Sequence, residues 1–241
     1  MTKLDNSFGF HDVSPDERRN RIRDVFTAIA DRYDLMNDVM SFGIHRLWKT
    51  VLVEAAGAGP GQVIVDLAGG TGEVAARMSG ADRSVTVCDP SVAMMTAGRR
   101  RADTRAVTWV AGEGEALPFA DGSVDTLTIS FGIRNVTHLD GALAEIHRVL
   151  KPGGRLLCLE FSRAHWLIRP FYDAFSFLII PRMGAWIARA PSAYVYLVES
   201  IRRFPDQESF AALIRNAGFA DVRYRNLGFG ISCLHIGTKA P

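Results

Sequence analysis

Three acids and a run of glycines hold the chemical interest of this 241-residue sequence. Asp66-Leu67-Ala68-Gly69-Gly70-Thr71-Gly72 follows a short apolar run, Gln62 to Leu67, and opens a helical stretch. Glycines at a strand-to-helix turn admit positive φ and let a ligand come close to the backbone. Asp89 ends a second apolar run, Ser84 to Cys88, and Glu113 follows a third, Ala106 to Val110. In an open α/β sheet the carboxyl ends of the strands border the ligand crevice, so these acids are expected to meet there.

The glycines alone do not choose the ligand. Gly70-Thr71-Gly72-Glu73-Val74-Ala75 also satisfies the dinucleotide pattern G-x-G-x-x-G/A, and Asp89 would suit the ribose of NAD. Charge is more informative. A pyrophosphate beside Asp66 and Glu73, with no Lys or Arg in the loop, would be poorly matched. S-adenosylmethionine has no phosphate and carries a net positive charge, which an acidic crevice suits. Asp66, directly or through water, is expected to face its amino-acid end, cradled by the backbone of Gly69, Gly70 and Gly72 and by the Thr71 hydroxyl. Asp89 would accept hydrogen bonds from the ribose, and Glu113 and Gly114 would flank the adenine. The plainer alternative is that Asp66 and Asp89 only cap the helices that follow them.

The elements that must position these residues alternate along the chain. Pro15 opens a helix with Ser14 as N-cap, and Ile22, Val25, Phe26 and Ile29 share one face. A second helical stretch runs from about Ile44 to Ala56, with a mixed polar and aromatic segment, Tyr33 to Asp38, between the two. Helices are expected from about Ser91 to Arg101 and His138 to Leu150. Further strands are expected at Val124 to Ser130 and, after the Lys151-Pro152-Gly153-Gly154 turn, at Arg155 to Phe161. Such alternation implies parallel pairing with right-handed crossovers. Helical stretches near Ala193 to Phe204 and Gln207 to Asn216 follow. Asp221 to Asn226 and Ser232 to Gly237 then stand too close together for a helical crossover, so they are read as an antiparallel hairpin. The whole is an α/β three-layer sandwich, Rossmann-like, with a mostly parallel seven-stranded sheet: the class I methyltransferase shape. One domain is expected, with a helical lid over 1–57, a cofactor-binding core over 58–161, an apolar helical insert over 162–205 and a terminal helix and hairpin over 206–241.

Composition narrows the function. Hydrophobic residues make up 48% and charged residues 22%, and the net charge is +2. That balance argues against a nucleic-acid partner, which usually meets a strong basic excess. Three cysteines, Cys88, Cys158 and Cys233, form no C-x-x-C pair, and a reducing, cytoplasmic compartment is expected. The most apolar stretch, Trp166 to Ala190, is broken by Arg169, Asp173, Pro181, Arg182 and Arg189, so it is expected to touch a membrane at most. The histidines lack metal-ligand spacing, and no metal is expected.

Several segments together are more specific. YDLMNDVMSFGIHRLWK (Tyr33 to Lys49), DLAGGTG (Asp66 to Gly72), ALPF (Ala116 to Phe119), ISFGIRNV (Ile129 to Val136) and RVLKPGGRLLCLEF (Arg148 to Phe161) carry a resemblance to the ubiquinone/menaquinone biosynthesis C-methyltransferases. Weaker similarity continues through Tyr172 to Arg182, Ser192 to Ile201 and Ala217-Gly218-Phe219. The pair Glu113-Gly114 departs from the family's usual Asn or Asp followed by Ala. The resemblance implies S-adenosyl-L-methionine as cofactor, with contacts at Thr71, Asp89, Glu113, Gly114 and Ser130.

It also implies methylation of a ring carbon of a polyprenyl benzoquinol or naphthoquinol. The ring carbon becomes nucleophilic when a phenolic proton, of pKa about 10, is removed, and it must be aligned with the methyl donor within about 3–3.5 Å. Arg134 would stabilise the phenolate and Asn135 would orient a ring oxygen. An arginine stays protonated, so its work would be electrostatic; a structural ion pair is the alternative. Tyr33 and His45 are weaker candidates, for a lid over the cofactor. Trp166, Phe171, Tyr172, Phe175, Phe177, Leu178, Ile179, Ile180 and Trp186 would either cover the core or form a greasy route for the prenyl tail, resting on the inner face of the membrane. The family's setting admits a quinone-biosynthesis complex or a homodimer. A nicotinamide-dependent oxidoreductase, a small-molecule O-methyltransferase and a non-catalytic scaffold remain alternatives on sequence alone.

Overall fold

The computed structural model describes residues 7–30, 33–179 and 191–241, except the side chains of Met36, Val39, Met40, Ile179 and 191–194. Its centre is a seven-stranded sheet of order β5-β4-β3-β6-β7-β9-β8. The strands are β3 (Val63–Leu67), β4 (Ser84–Asp89), β5 (Thr108–Ala111), β6 (Val124–Ser130), β7 (Leu150–Phe161), β8 (Phe219–Leu227) and β9 (Ser232–Lys239). The first five run parallel. β9 inserts antiparallel between β7 and β8. The expected architecture and terminal hairpin are therefore both present.

The parallel strands are mostly apolar because helices cover both faces. On one face α6 (Leu139–Val149) and α9 (Gln207–Asn216) pack Leu143, Ile146, Phe210 and Ile214 against Leu127, Ile129 and Leu156. On the other, α3 (Ile44–Ala56) and α4 (Glu73–Met78) pack Leu52, Ala56, Val74 and Met78 against Ile64, Val85 and Val87. α3 ends at Gly57, whose φ of 56° is the left-handed conformation that glycine adopts at little cost. The helix α5 (Val92–Arg99) carries Gly98 against the glycine loop. A Cβ there would lie 2.3 Å from the Trp109 ring and 2.8 Å from the Thr71 carbonyl.

Some segments differ from expectation. The mixed polar and aromatic segment Tyr33 to Asp38 is the start of a helix, α2 (Tyr33–Ser41). A two-residue hairpin, β1 (Ser7–Phe8) and β2 (His11–Asp12), precedes α1 (Pro15–Ile29); its four paired residues are too few for any periodicity to show. Lys151 to Gly154 lies within the span of β7, and its register against β6 shifts there. The apolar insert forms α7 (Arg169–Ala174) and a π-helical turn, Phe175–Ile179. Ile180, Pro181, Arg182, Trp186 and Arg189 lie outside the described residues. The helix α8 (Pro191–Arg203) then returns the chain to the sheet.

Gly98→Ala should overpack the contact between α5 and the glycine loop. The expected cost of about 1–3 kcal/mol should lower the melting temperature by roughly 2–4 °C per kcal/mol, as read by calorimetry.

Candidate active site

Two hollows meet at the carboxyl ends of the parallel strands, divided by Phe131. One is a crevice over β3, β4 and β6, with Gly70, Asp89, Glu113, Gly114, Phe131, Gly132 and Asn135 in its wall. Its roof is α1, which contributes Arg19, Ile22, Arg23 and Phe26. The other is an apolar cavity of about 500 Å³ between α3, the α7 region and α8, with His45, Trp48, Phe131, Arg134, Phe161 and Tyr172 in its wall.

The crevice is built on backbone geometry. Ala68, Gly70 and Gly72 have φ of 50°, 56° and 75°, so the loop curls tightly at the tip of β3. Asp89 holds it there: Oδ2 accepts the Gly70 amide at 2.8 Å and Oδ1 the Ser91 amide at 2.7 Å. Burial pushes its carboxyl up to about 6. Asp66 is not in the crevice wall. Its carboxylate lies beneath the loop, 1% exposed, where Oδ1 accepts the Thr128 hydroxyl at 2.7 Å. Oδ2 has no partner among the described residues, and burial pushes this carboxyl up to about 7. Gly69 is packed so closely over it that a Cβ would stand 2.7 Å from Oδ2.

The other sequence candidates divide in the same way. Glu113 reaches the crevice but faces Arg19 of α1 at 3.4 Å, an exposed pair that spans the opening. Gly114 gives the wall its depth: a Cβ there would meet Val136 at 3.1 Å. The Thr71 hydroxyl donates to Asp34 of α2 at 2.9 Å, so it ties that helix to the loop. Gly72 backs onto Trp109. Tyr33 stands behind Phe26, with ring centroids 6.2 Å apart. Ser130 ends β6 with its hydroxyl buried and unpartnered among the described residues.

Arg134 and Asn135 sit on a single 3₁₀ turn, Ile133–Asn135, directly after β6. Phe131 reverses the chain with φ of 57°, a costly conformation for a bulky side chain. The parallel register sets Ser130 beside Leu159, which brings Glu160 of β7 next to that turn. Arg134 Nη1 donates to Glu160 Oε1 at 2.6 Å and to the Phe131 carbonyl at 2.7 Å. Both side chains are buried. Burial pushes the Glu160 carboxyl above its ordinary range, while the Arg134 charge pulls it back. The structural ion pair weighed for Arg134 is thus present, yet it leaves donors over. Nε is buried without a partner among the described residues, and the side chain lines the apolar cavity. Asn135 turns the other way, into the crevice, and its Oδ1 accepts the Tyr196 hydroxyl at 2.9 Å.

The sequence reading passed over Arg18, Glu160 and Tyr196. Arg18 is 1% exposed. Its guanidinium donates to the carbonyls of Ser7 (2.8 Å), Arg134 (2.9 Å), Asn135 (3.4 Å) and Val136. Tyr196 of α8 is stacked on Phe8 at 4.3 Å, so the N-terminal hairpin buttresses Asn135 from behind. Among the described residues no cluster of His, Cys, Asp or Glu could hold a metal ion.

Arg18→Met should leave those buried carbonyls without their donor. At about 1.5–3 kcal/mol for a hydrogen bond to a charged group, denaturant unfolding should show a loss of several kcal/mol, with turnover falling in parallel. For Asp66 the sign follows from linkage. A carboxyl raised from 3.8 to about 7 binds more protons folded than unfolded between those values, so its contribution to stability falls as pH rises through that window. Relative to wild type, Asp66→Asn should therefore gain stability from pH 4 to pH 7, by at most about 4 kcal/mol at about 1.4 kcal/mol per pKa unit. Urea unfolding of both proteins across that range tests it.

The comparisons with known proteins agree with this geometry. The model of the ubiE/COQ5 methyltransferase family matches residues 14–239. The ubiquinone/menaquinone biosynthesis C-methyltransferase UbiE of Rubrivivax gelatinosus is 64% identical over 239 residues, covering 99% of this chain and 95% of the relative. In fold, the chain resembles a S-adenosylmethionine-dependent methyltransferase of Thermotoga maritima, with a TM-score of 0.65, 22% identity and coverage of 90% of this chain and 99% of that one. It also resembles an N-methyltransferase of Haemonchus contortus solved with S-adenosylhomocysteine, with a TM-score of 0.66, 16% identity and coverage of 91% and 60%. With nearly its whole length matched, and with a glycine loop, an acid-lined crevice and an adjoining apolar cavity in place, the chain belongs to the ubiE/COQ5 methyltransferase family.

Proposed function

We propose that this methyltransferase transfers a methyl group from S-adenosylmethionine to a ring carbon of a polyprenyl benzoquinol or demethylmenaquinol. The observation that carries this reading is the pairing of hollows. An acid-lined crevice beside a glycine loop opens next to an apolar cavity of about 500 Å³, within the usual range for ligand sites. When bound, S-adenosylmethionine supplies a methyl group already activated on a sulfonium. Gly70, Asp89, Glu113 and Gly114 would hold it, with Asn135 at the boundary with the substrate. The loop carries no basic side chain for a pyrophosphate, and Asp89 in the wall would suit the ribose; the crevice arginines, Arg19 and Arg23, stand in the α1 roof, with Arg19 taken by Glu113.

The cavity suits a ring with a prenyl tail. It has Trp48, Phe131 and Phe161 as apolar walls and two cations, Arg134 and Arg202, the latter paired with Asp173 at 2.5 Å. In so apolar a setting, the unused Arg134 donors would favour a ring phenolate and fix which ring carbon faces the crevice. Glu160 serves here as the positioning residue that keeps the guanidinium fork aimed. The C-methylation reading has this asymmetry in its favour over O-methylation: the cation would hold the oxygen and leave the neighbouring carbon to react.

The mouth of the cavity is rimmed by Phe42, Phe171 and Phe229, exposed by 75%, 78% and 76%. Trp166 and Leu167 add exposed apolar surface in the same insert. No helix among the described residues is long and apolar enough to cross a membrane. These rings would rest against the bilayer and take the prenyl tail from it. Nothing described favours either a homodimer or a quinone-biosynthesis complex.

Purified protein incubated with S-adenosylmethionine and a reduced, prenylated demethyl quinol should yield the C-methylated product by mass spectrometry. Arg134→Lys keeps the charge opposite Glu160 but removes the fork. It should lower kcat by about 10²–10³-fold, the scale for one lost donor to a developing anion, with little change in affinity for S-adenosylhomocysteine. Unchanged turnover would exclude the electrostatic role. Co-sedimentation with quinol-loaded liposomes should drop for Phe171→Asp together with Phe229→Asp.

A further inference from the structure

Once the ring carbon has received its methyl group, it still carries a proton. That C–H bond must break, its electron pair must return to the ring, and the proton must go to a base. Arg134 cannot accept it, and Glu160 is held by Arg134 and by the Phe161 amide at 2.8 Å. We infer that His45 is the catalytic residue that accepts the ring proton, on Nε2. This assignment rests on the proposal that the quinol ring occupies the apolar cavity.

The argument begins with the hydrogen bonds of Ser41. Its single hydroxyl proton goes to the Asn37 carbonyl, 2.6 Å away, which can only accept. Ser41 Oγ must then act as acceptor toward His45 Nδ1 at 2.7 Å, as it does toward the His45 amide at 3.4 Å. The imidazole proton is therefore on Nδ1, and Nε2 keeps its lone pair. His45 is 5% exposed and shares the cavity wall with Phe131 and Arg134. No hydrogen bond reaches Nε2 from the described residues; the nearest acid, Asp38 Oδ1, is 3.9 Å away.

The surroundings keep this nitrogen neutral until it is needed. Burial and the Lys49 ammonium push His45 down to about 4, against the opposing pull of Glu73 and Asp38. Lys49 is itself paired with Glu73 at 2.7 Å, and the Asp38 carboxylate is engaged by Arg46. A weak base suffices, because rearomatisation drives the proton off the ring. In the balanced step the C–H bond breaks and its electrons restore the aromatic ring. The ring oxygen recovers its negative charge beside Arg134, and Nε2 becomes an imidazolium close to Asp38.

The test uses a prenylated quinol carrying deuterium at the ring carbon to be methylated. His45→Asn keeps an amide N–H for Ser41 but supplies no base. S-adenosylhomocysteine binding by calorimetry would report that the variant is folded, and His45→Gln serves as a second variant if it is not. Wild type should show no isotope effect on kcat. The variant should lose about 10²–10⁴-fold in kcat, the scale of general-base catalysis. The residual rate should show a primary isotope effect, and added imidazole should raise it. A kcat close to wild type, or a loss with neither isotope effect nor imidazole rescue, would overturn the assignment. If wild type itself leaves the quinol unmethylated, the substrate reading fails and this inference with it. If wild type methylates and the variant matches it, the inference about His45 alone is lost.

Discussion

The site depends on one buried guanidinium. Arg18 fills the gap between the N-terminal elements and the turn after β6 with donors, and it meets carbonyls from both sides. A 3₁₀ turn at a strand end leaves carbonyls that no sheet or helix can satisfy, and buried carbonyls without donors are costly. Arg18 resolves that cost from α1, which is also the roof of the crevice. The roof and the turn that bears Arg134 and Asn135 are thus fastened by the same atoms. An apolar residue at that position would leave both halves intact but unjoined.

A second charge arrangement works inside the first. Burying Arg134 and Glu160 would be unfavourable for either alone, and pairing makes it tolerable without making it strongly stabilising. What the pair contributes is direction. With Nη1 committed to Glu160 and to the Phe131 carbonyl, the plane of the guanidinium is fixed, and its remaining donors have one orientation relative to the cavity. His45, elsewhere in the same cavity lining, is held by a neutral device: the Ser41 hydroxyl donates to the Asn37 carbonyl and so accepts from the His45 ring.

Much of this was legible in the sequence, and the gaps have physical causes. The strands of the core were visible because a sheet covered on both faces requires apolar runs of that length. The C-terminal end of α3 was visible because Gly57 takes a conformation that other residues resist. Asp66 lies at the expected place along the chain, with its carboxylate buried beneath the loop. How far a side chain near a strand's end reaches toward the crevice depends on how the loop folds over it, and here Gly69 closes above the Asp66 carboxylate. Arg18 could not be singled out among Arg19, Arg21 and Arg23, because its partners are backbone carbonyls, three of them more than a hundred residues away. Glu160 did leave a signal. An acid within Leu156-Leu157-Cys158-Leu159-Glu160-Phe161 is expensive to bury unless a cation is provided, and the only chemistry-bearing arginine in the notable FGIRNV segment was already in view.

The insertion of β9 between β7 and β8 has a consequence for the order of assembly. β7 carries Glu160, and its free edge is completed only when Ser232 to Thr238 pair along Arg155 to Phe161. Ser232 also donates its hydroxyl to the Glu160 carbonyl. β9 is the last strand in the sequence. During synthesis, at about 5–20 residues per second, the crevice-forming strands leave the ribosome several seconds before the strand that completes the β7 edge. The glycine-loop side of the sheet is thus available early, while the β7 edge that carries Glu160 waits for β9.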